Sequence, residues 1–152
     1  MTKKYYWEDF YPGQVREGGA ITVSAAQIIE FAKKYDPQPF HVDPEQAKES
    51  SFGELVASGW HTASMCMRMM CDLYLLESAG MGSPGIDELR WVKPVRPGDT
   101  LRLKVTVLET RASASRPDMG ITRSRFEVYN QRGELVMHMA GLGMIRRRNP
   151  AK

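Results

Sequence analysis

An aspartate and a histidine lie close together in the chain, at Asp36 and His41, on either side of a Pro-Gln-Pro stretch. Proline fixes its own φ, lacks an N–H and disfavours helix in the residue before it, so two prolines separated by one residue exclude a regular helix here. On a short irregular segment a carboxylate and an imidazole can converge on one point, hold a water molecule between them and share its proton. A general acid–base site is therefore one interpretation of this segment, although an Asp and a His at this spacing are also common by chance.

A metal site is the competing interpretation, because His41, Asp43 and His61 are ligand types that can form a facial triad. The sequence has no HxH or HExxH pattern and no Cys/His pair at zinc-ligand spacing. The glycine-rich run over residues 80–85 follows a predicted helix instead of opening one, which argues against a phosphate cradle. We therefore expect no metal and no other cofactor.

The elements that position these residues are predicted from caps and hydrophobic periodicity. A strand is expected within residues 14–23, and a helix follows it, capped by Thr22 or Ser24. Asp43 can cap a short helix that runs to about residue 50. A long helix is predicted from residue 59 to about 79. Apolar residues cover most of its faces, so we expect it to be buried on nearly all sides.

The second half of the chain changes to the period of two that is typical of strands. Strands are predicted over residues 86–92, 100–109, 121–130 and 134–145, with a mobile loop over 111–120. Helices followed by a run of antiparallel strands indicate the α+β class, here a sheet wrapped around one central helix. The length of 152 residues and the absence of a linker predict a single domain.

The net charge of +3 comes from the end of the chain. Residues 146–152 carry four basic side chains and no acidic one, so residues 1–145 have 17 basic against 18 acidic side chains, a net charge of −1. Short charged tails are usually solvated, and the body shows no basic stripe interleaved with aromatic residues. We therefore expect a folded domain over residues 1–145, a basic tail over 146–152 and no nucleic-acid partner.

Cys66 and Cys71 lie in the apolar helical stretch without a metal or redox spacing, so we expect two reduced, buried thiols. The first residues are charged and lack the apolar core of a signal peptide. The most apolar run, residues 60–76, is interrupted by Arg68 and Asp72. The sequence therefore predicts a cytoplasmic protein with no signal peptide and no membrane span.

Four segments, in order, resemble the MaoC-like dehydratases, also called (R)-specific enoyl-CoA hydratases. They are residues 35–44 (YDPQPFHVDP), 52–63 (FGELVASGWHTA), 83–91 (SPGIDELRW) and 94–99 (PVRPGD). The first segment resembles the hydratase signature, an Asp, a Pro two residues before a His, and then Asp-Pro. The resemblance covers about residues 7–145 and implies a hotdog fold, which agrees with the sheet and long helix predicted from periodicity.

The resemblance also implies roles for three residues. Asp36 and His41 match the family's catalytic pair, which holds the attacking water, and Gly59 matches the glycine whose backbone N–H binds the thioester oxygen. Gly59 begins the predicted long helix, where N–H groups are unpaired and the helix dipole favours a developing enolate. We expect the following residues to border the substrate: Phe40, Ser58, Trp60, His61, Ser64 and Trp91.

These observations lead us to expect a single hotdog domain that adds water reversibly to a trans-2-enoyl-CoA thioester and gives an (R)-3-hydroxyacyl-CoA. Protomers of this family usually join their sheets, so we expect a homodimer or a dimer of dimers, which also gives an edge strand a partner. Two alternatives stay open. One is a hotdog acyl-CoA thioesterase, in which a carboxylate activates water toward the carbonyl; the other is an acyl-CoA-binding protein without turnover.

Three positions depart from the family pattern. Gln38 stands where the family commonly has Asn, and Ser58 stands where it often has His. The serine that some members carry about eight residues after the glycine has no counterpart here. These departures bear on the choice of substrate more than on the class of reaction. Basic residues at 90, 93 and 96 are candidates for contact with CoA phosphates, although a solvated strand end explains them equally well.

Overall fold

Five antiparallel strands form one sheet in the computed structural model of the protein, which describes residues 2–150. In chain order the strands are Val15–Thr22 (β1), Ile86–Trp91 (β2), Thr100–Ala112 (β3), Met119–Tyr129 (β4) and Leu135–Arg146 (β5). Their order in the sheet is β1-β3-β4-β5-β2, so β1 and β2 are the two edges. The prediction of an α+β fold with one antiparallel sheet is confirmed.

Burial alternates along the inner strands as the sequence pattern predicts. In β3 the side chains of Leu101, Leu103, Val105 and Val107 are all buried, while the polar residues between them are more exposed. Because side chains alternate between the two faces of a strand, these apolar residues share one face. That face contributes to the core cluster together with the buried side of the longest helix.

Caps and prolines fix where the first three helices begin. Helix α1, Ala25–Tyr35, starts after Ser24, whose hydroxyl accepts a hydrogen bond from the Gln27 N–H at 3.1 Å. The Gln27 side chain accepts one in return from the Ser24 N–H at 2.9 Å, which completes a capping box. Two helical turns, α2 (Pro39–Val42) and α3 (Pro44–Ala47), each begin with a proline, which is pre-set for the first helical position.

The longest helix, α4, spans Gly59–Leu73 and is shorter than predicted. The backbone leaves helical geometry at Tyr74 and forms a 3-10 turn over Leu75–Glu77. The N–H groups of residues 4 and 5 donate to the Glu77 carbonyl at 2.9 and 3.0 Å, so the N-terminal segment binds the chain where it leaves the helix. This long-range contact has no local signal, because the apolar pattern continues past residue 73.

The prediction that α4 is buried on nearly all sides is wrong for the single chain. Its buried face carries Met65, Cys66, Met69 and Met70, whereas the large side chains of Trp60 and Met67 are exposed. The exposed apolar side lies away from the sheet's core cluster. An apolar surface of this kind on a single chain is typical of a protein–protein or ligand contact.

The loop predicted over residues 111–120 is shorter than expected. Residues 111–112 extend β3 and residues 119–120 begin β4, so only residues 113–118 connect the two strands. An ion pair between Arg116 and Asp118, at 2.7 Å, lies inside this connection. Near the N-terminus, Trp7–Asp9 forms a 3-10 turn.

Part of the basic tail is hydrogen-bonded to that N-terminal turn, while the Arg148 side chain stays 45% exposed. Strand β5 includes Arg146, one residue beyond the predicted domain boundary. The Arg148 guanidinium lies 2.7 Å from Asp9 Oδ2, and the N–H groups of Arg148 and Asn149 donate to the Glu8 carboxylate at 2.8 and 2.9 Å. Residues 151 and 152 of the predicted tail lie outside the described residues.

Both cysteines are free thiols. Cys66 is buried in the core, which raises the pKa of its thiol to about 12, and Cys71 is half-buried. Within residues 2–150 no helix combines the length and the apolar character that a membrane crossing requires.

Candidate active site

The predicted acid–base pair is brought together where α1 ends and α2 begins. Asp36 is the C-terminal cap of α1 and donates its N–H to the Ala32 carbonyl at 2.8 Å. Two prolines then prevent the helix from continuing, and the chain turns into α2, which carries His41. The His41 Nε2 atom lies 3.3 Å from Asp36 Oδ2, and the side chains are 7% and 16% exposed. The two prolines therefore produce the break between α1 and α2 that the sequence predicts, and this break brings the two side chains together.

The tautomer of His41 follows from its second contact. Its Nδ1 atom lies 2.7 Å from the Val56 carbonyl oxygen, inside the protein. A carbonyl oxygen can only accept a hydrogen bond, so Nδ1 must carry the proton and donate it. In the neutral imidazole, Nε2 is then a hydrogen-bond acceptor directed at the carboxylate of Asp36. Two acceptors 3.3 Å apart need either a proton between them or a water beside them that donates one hydrogen atom to each.

Both oxygens of the Asp36 carboxylate are held by hydrogen-bond donors. The Gln38 amide donates to Oδ1 and the Ser58 hydroxyl donates to Oδ2, each at 2.7 Å. Partial burial raises the pKa of Asp36, but the two hydrogen bonds and a smaller electrostatic contribution from His41 outweigh it and leave the pKa below its ordinary value. At neutral pH the group is therefore a carboxylate ready to accept a proton.

Helix α4 directs its N-terminus at the same place. Ser58 is the N-cap and accepts a hydrogen bond from the Trp60 N–H at 3.2 Å, while Gly59 is the first helical residue. Within the described residues, the Gly59 N–H donates to no protein atom. An unpaired N–H at the positive end of a helix is suited to an oxygen that gains negative charge.

Gly59 cannot be exchanged for a larger residue without a rearrangement. The indole of Trp91 covers it so closely that an added Cβ would lie 2.4 Å from Trp91 Cε2 and 2.5 Å from Cδ2. Trp91 in turn contacts Trp60 edge-on, with ring centroids 5.1 Å apart. The two indoles thus form a wall beside the free N–H.

One cavity of about 430 Å³ joins these groups. Asp36, His41 and Gly59 all line it, as do three of the expected substrate-contact residues, Phe40, Trp60 and Trp91. Lys93, one of the candidates for contact with CoA phosphates, also lines it. The remaining lining residues, which the sequence did not single out as substrate contacts, are Gln38, Phe52, Val56, Ala57, Thr62, Val92, Pro94 and Val95. The volume lies in the range of pockets that bind small molecules, and its walls are mostly apolar.

Three of the expected substrate-contact residues do not line this cavity. Ser58 has no exposed surface and lies behind Asp36. His61 stacks on Phe31, with ring centroids 4.6 Å apart, and burial lowers the pKa of its imidazole. Ser64 directs its hydroxyl to the Trp60 carbonyl at 2.8 Å. In the single chain these residues support the site and do not form its surface.

The described part of the chain contains no cluster of ligand side chains of the kind that the metal alternative requires. Asp43 caps α3 by accepting the N–H groups of Glu45 and Gln46, and His61 stacks on Phe31. Among residues 2–150, no group of three or more side chains of the usual ligand types converges on one point. The three residues of the proposed facial triad therefore have separate roles.

Local signals exist for some of the residues that the sequence analysis missed. Gln38 lies two residues after Asp36 on the proline-bracketed turn, where an amide can reach back to the carboxylate. Thr62 lies three residues after Gly59 on α4 and therefore shares its face. No local signal indicates Phe52 or Val92, because only tertiary packing brings them to the cavity.

Two of the three basic residues near the site are paired with acids. Lys93 forms an ion pair with Glu134, and Arg96 forms one with Glu54. Arg90 makes no carboxylate contact within the described residues and donates to the Leu89 carbonyl at 2.9 Å.

A second cavity, of about 590 Å³, lies between the second half of α4 and strands β4 and β5, and none of Asp36, His41 and Gly59 lines it.

Comparison with known proteins places the chain in a family. A family model described as "MaoC like domain" matches residues 9–128. The crystal structure of a MaoC-like dehydratase from Rhodospirillum rubrum has a TM-score of 0.89 and 41% sequence identity, and the match covers 95% of this chain and 99% of that one.

Two further proteins extend the comparison. The "Uncharacterized protein YdeM" of Bacillus subtilis (strain 168) is 30% identical over 125 residues, 82% of this chain and 87% of that protein. The unliganded R-hydratase from Pseudomonas aeruginosa shares the fold, with a TM-score of 0.75, 21% identity, and coverage of 99% of this chain and 90% of that one. The chain therefore belongs to the MaoC-like dehydratase family, whose hotdog fold its antiparallel sheet and central helix reproduce.

Proposed function

We propose that the protein is an acyl-CoA hydratase/dehydratase that adds water reversibly to a trans-2-enoyl-CoA and gives an (R)-3-hydroxyacyl-CoA. The observation that carries the proposal is the convergence of Asp36, His41 and the free Gly59 N–H on one cavity. The similarity to a MaoC-like dehydratase at 41% identity supports the class of reaction. The fold shared with an R-hydratase is consistent with it.

The two acceptors of the pair suit a water molecule as the nucleophile. With Asp36 ionised and His41 neutral, a single water molecule beside the pair can donate one of its hydrogen atoms to Asp36 Oδ2 and the other to His41 Nε2. Its oxygen lone pairs then point into the cavity, toward C3 of a bound enoyl group. The pair accepts one proton as the oxygen attacks C3, and it gives one proton to C2 afterwards. The proton belongs to the pair as a whole, because coupled groups titrate together.

The Gly59 N–H stabilises the negative charge that develops on the thioester oxygen during the reaction. When the C3–O bond forms, the electrons of the C2–C3 double bond move toward C1 and the thioester oxygen becomes an enolate oxygen. A hydrogen bond to that oxygen is stronger in the transition state than in the substrate, and loss of one such donor costs about 2.7–4 kcal/mol in other enzymes. Protonation at C2 then restores the thioester. The net change is one water added, with no electron transferred and hence no need for a redox cofactor.

The cavity favours an uncharged acyl group. Its walls include four aromatic rings, those of Phe40, Phe52, Trp60 and Trp91. The only cation in the wall, Lys93, is paired with Glu134, so no free positive charge faces the cavity within the described residues. Burying an unpaired carboxylate against apolar walls is costly. A simple acyl chain therefore fits this site better than a carboxylated one.

We also propose that two copies of the chain form a homodimer. The exposed apolar side of α4 and the free edge strand β2 lie on a surface that a second copy can cover. Pairing of two edge strands would satisfy their unpaired backbone groups.

The test of the function is the loss of enoyl absorbance when purified protein is mixed with crotonyl-CoA and with longer trans-2-enoyl-CoAs. We expect turnover by the wild type, formation of the (R)-alcohol on chiral chromatography, and a loss of about 10²–10⁴-fold in kcat for Asp36→Asn and for His41→Gln. Release of free CoA thiol without hydration would identify a thioesterase. Stabilisation by enoyl-CoA in a thermal melt without any product would identify a binding protein.

A further inference from the structure

Ser58 connects the two halves of the site through one hydroxyl group. Its Oγ–H donates to Asp36 Oδ2 at 2.7 Å, and the same oxygen accepts the Trp60 N–H at 3.2 Å. The side chain is 0% exposed. Solvent and substrate therefore cannot reach the hydroxyl in the single chain, and both of its hydrogen bonds are to protein.

The position of Ser58 in the chain gives these bonds a consequence for geometry. Ser58 is the N-cap of α4, and its carbonyl carbon is bonded to the nitrogen of Gly59. The Gly59 N–H therefore has a fixed relation to the Ser58 backbone, and the Ser58 side chain has a short, fixed reach to Asp36. One residue thus limits how far the carboxylate and the free N–H can move relative to each other.

Gln38 holds the other carboxylate oxygen without this consequence. Its amide donates to Asp36 Oδ1 at the same distance, 2.7 Å. Gln38 is exposed and lies two residues from Asp36 in the same turn, so it does not connect that turn to α4. The hydrogen bonds from Gln38 and Ser58 to Asp36 are equally long, but only the bond from Ser58 connects the turn of Asp36 to α4. Gln38 is therefore a matched control for Ser58.

The hydrogen bonds at Ser58 also run in one direction. The Trp60 N–H at the start of α4 donates to Ser58, and Ser58 donates to the carboxylate. Donors in series polarise one another, and an N–H at a helix N-terminus carries part of the positive end of the dipole. The chain of bonds therefore favours the ionised form of Asp36.

We propose that Ser58 is a positioning residue that holds the Asp36 carboxylate in place relative to the Gly59 N–H. This role deepens the proposed hydration, on which its kinetic consequence rests. The substrate bridges the two groups, because water is added at C3 while charge develops on the thioester oxygen. Misplacement by about 1 Å can cost as much as 10²-fold in rate. The titratable groups that share the cavity wall with Asp36 are His41 and Lys93, the latter paired with Glu134.

The experiment compares Ser58→Ala, Ser58→Thr and Gln38→Ala with the wild type. We expect Ser58→Ala to lower kcat by about 10–100-fold with a smaller change in KM. We also expect it to move the acid limb of the kcat/KM profile to higher pH, because the carboxylate loses a donor. Ser58→Thr keeps the hydroxyl and should restore both quantities in large part. Gln38→Ala should move the acid limb in the same direction with a smaller loss of kcat.

Loss of the helix cap alone would lower Tm without changing the pH profile. Ser58→Gly separates the two effects, because glycine is tolerated at an N-cap while the bond to Asp36 is lost. The proposal is overturned if Ser58→Ala or Ser58→Gly, measured below its Tm, keeps the wild-type kcat and acid limb. It is also overturned if Ser58→Thr behaves like Ser58→Ala while folded.

An activity-independent measurement separates failure of this proposal from failure of the proposed function. In a pH titration followed by NMR, the Trp60 amide proton of the wild type should titrate together with the ¹³C-labelled carboxyl group of Asp36. In Ser58→Gly that response should disappear and the Asp36 titration should move to higher pH. If the wild type hydrates no enoyl-CoA but this coupling is found, the function fails and the positioning role stands. If the Trp60 amide does not respond in the wild type, the positioning role is wrong.

Discussion

At the scale of single residues, the site depends on Gly59 having no side chain. Gly59 presents its N–H beside a cavity, and the Trp91 indole fills the space that a side chain would need. Glycine at the start of a helix has a cost in conformational entropy, so a reason for it must lie in its contacts. Here the reason is the close approach of the indole, which lines the same cavity as the free N–H.

We predict that Gly59→Ala lowers kcat/KM by about 10²-fold, because the added Cβ displaces the indole of Trp91 into the cavity while the N–H itself remains. The double variant Gly59→Ala/Trp91→Ala gives the Cβ room and should recover part of the loss. Gly80→Ala is the matched control, since a Cβ there meets nothing within 4 Å. Steady-state kinetics on an enoyl-CoA measure kcat/KM for the wild type and the three variants. A double variant whose kcat/KM is no higher than that of Gly59→Ala would contradict the steric explanation.

The residues of the candidate site differ in how far the sequence could predict them. Asp36 and His41 lie on one short segment that the prolines make irregular, so the sequence showed that they can meet, and the family resemblance implied that they form a pair; the structure places them 3.3 Å apart. The contact of Trp91 with Gly59 joins residues more than thirty positions apart, and nothing local indicates it. Ser58 was predicted to border the substrate, and its burial behind Asp36 depends on the packing of α4 against that turn.

At the scale of elements, strand β2 is the most exposed of the five strands, since the other edge strand, β1, has three half-buried residues. The residues of β2 are exposed except for the half-buried Leu89, whereas β4 and β5 bury much of their length. As an edge strand it is paired only with β5. Exposed apolar side chains on a free edge invite pairing with another chain. A second copy on this edge would explain a pattern that the single chain leaves unexplained.

We predict that the wild type sediments as a dimer and that Ile86→Lys raises the dimer dissociation constant at least about tenfold, the effect of 1.4 kcal/mol. Ile86 is 47% exposed on β2 and does not line the cavity of Asp36. Val15→Lys is the matched control, because Val15 is 49% exposed on the other edge strand, β1. Sedimentation velocity over a concentration series distinguishes them. Dissociation by Val15→Lys alone would move the interface to β1.

Most element types were predictable and some of their ends were not. The four strands of the second half and the capped start of α1 follow from a period of two and from a serine cap, which are local properties. The end of α4 at Leu73 was not predictable, because apolar residues continue at helical spacing through 75 and 76. The hydrogen bonds of residues 4 and 5 to Glu77 come from the other end of the chain.

At the scale of the whole molecule, the two ends of the chain hold each other. Trp7 lies on Gly120 of β4, and the guanidinium of Arg147 lies 5.3 Å from the Trp7 ring. The next residue, Arg148, binds Asp9 at 2.7 Å. The net charge of +3 therefore does not describe a free basic tail, since one of its cations is neutralised by the N-terminal turn and another stacks on it.

We predict that deletion of residues 147–152 lowers the free energy of unfolding, because it removes the Arg148–Asp9 ion pair with its hydrogen bonds and the cation–π contact of Arg147 with Trp7. Arg148→Ala should account for part of that loss. Arg111→Ala, which removes an exposed cation that forms no ion pair within the described residues, should leave stability unchanged. Urea denaturation at neutral pH measures all three. Turnover should stay within a few-fold of the wild type wherever the shortened chain is folded, because none of residues 147–150 lines the cavity of Asp36.

The pH dependence of this loss identifies its cause. The hydrogen bond from Arg148 lowers the pKa of Asp9 below its ordinary value, so the folded state favours the carboxylate. A depressed carboxyl pKa contributes stability above the pKa of the unfolded chain and loses it as the pH falls through the folded value. The difference in stability between the full and shortened chains should therefore be complete at pH 7 and shrink below about pH 4. A difference that persists unchanged in acid would mean that packing of Arg147 on Trp7, and not the Asp9–Arg148 pair, holds the two ends together.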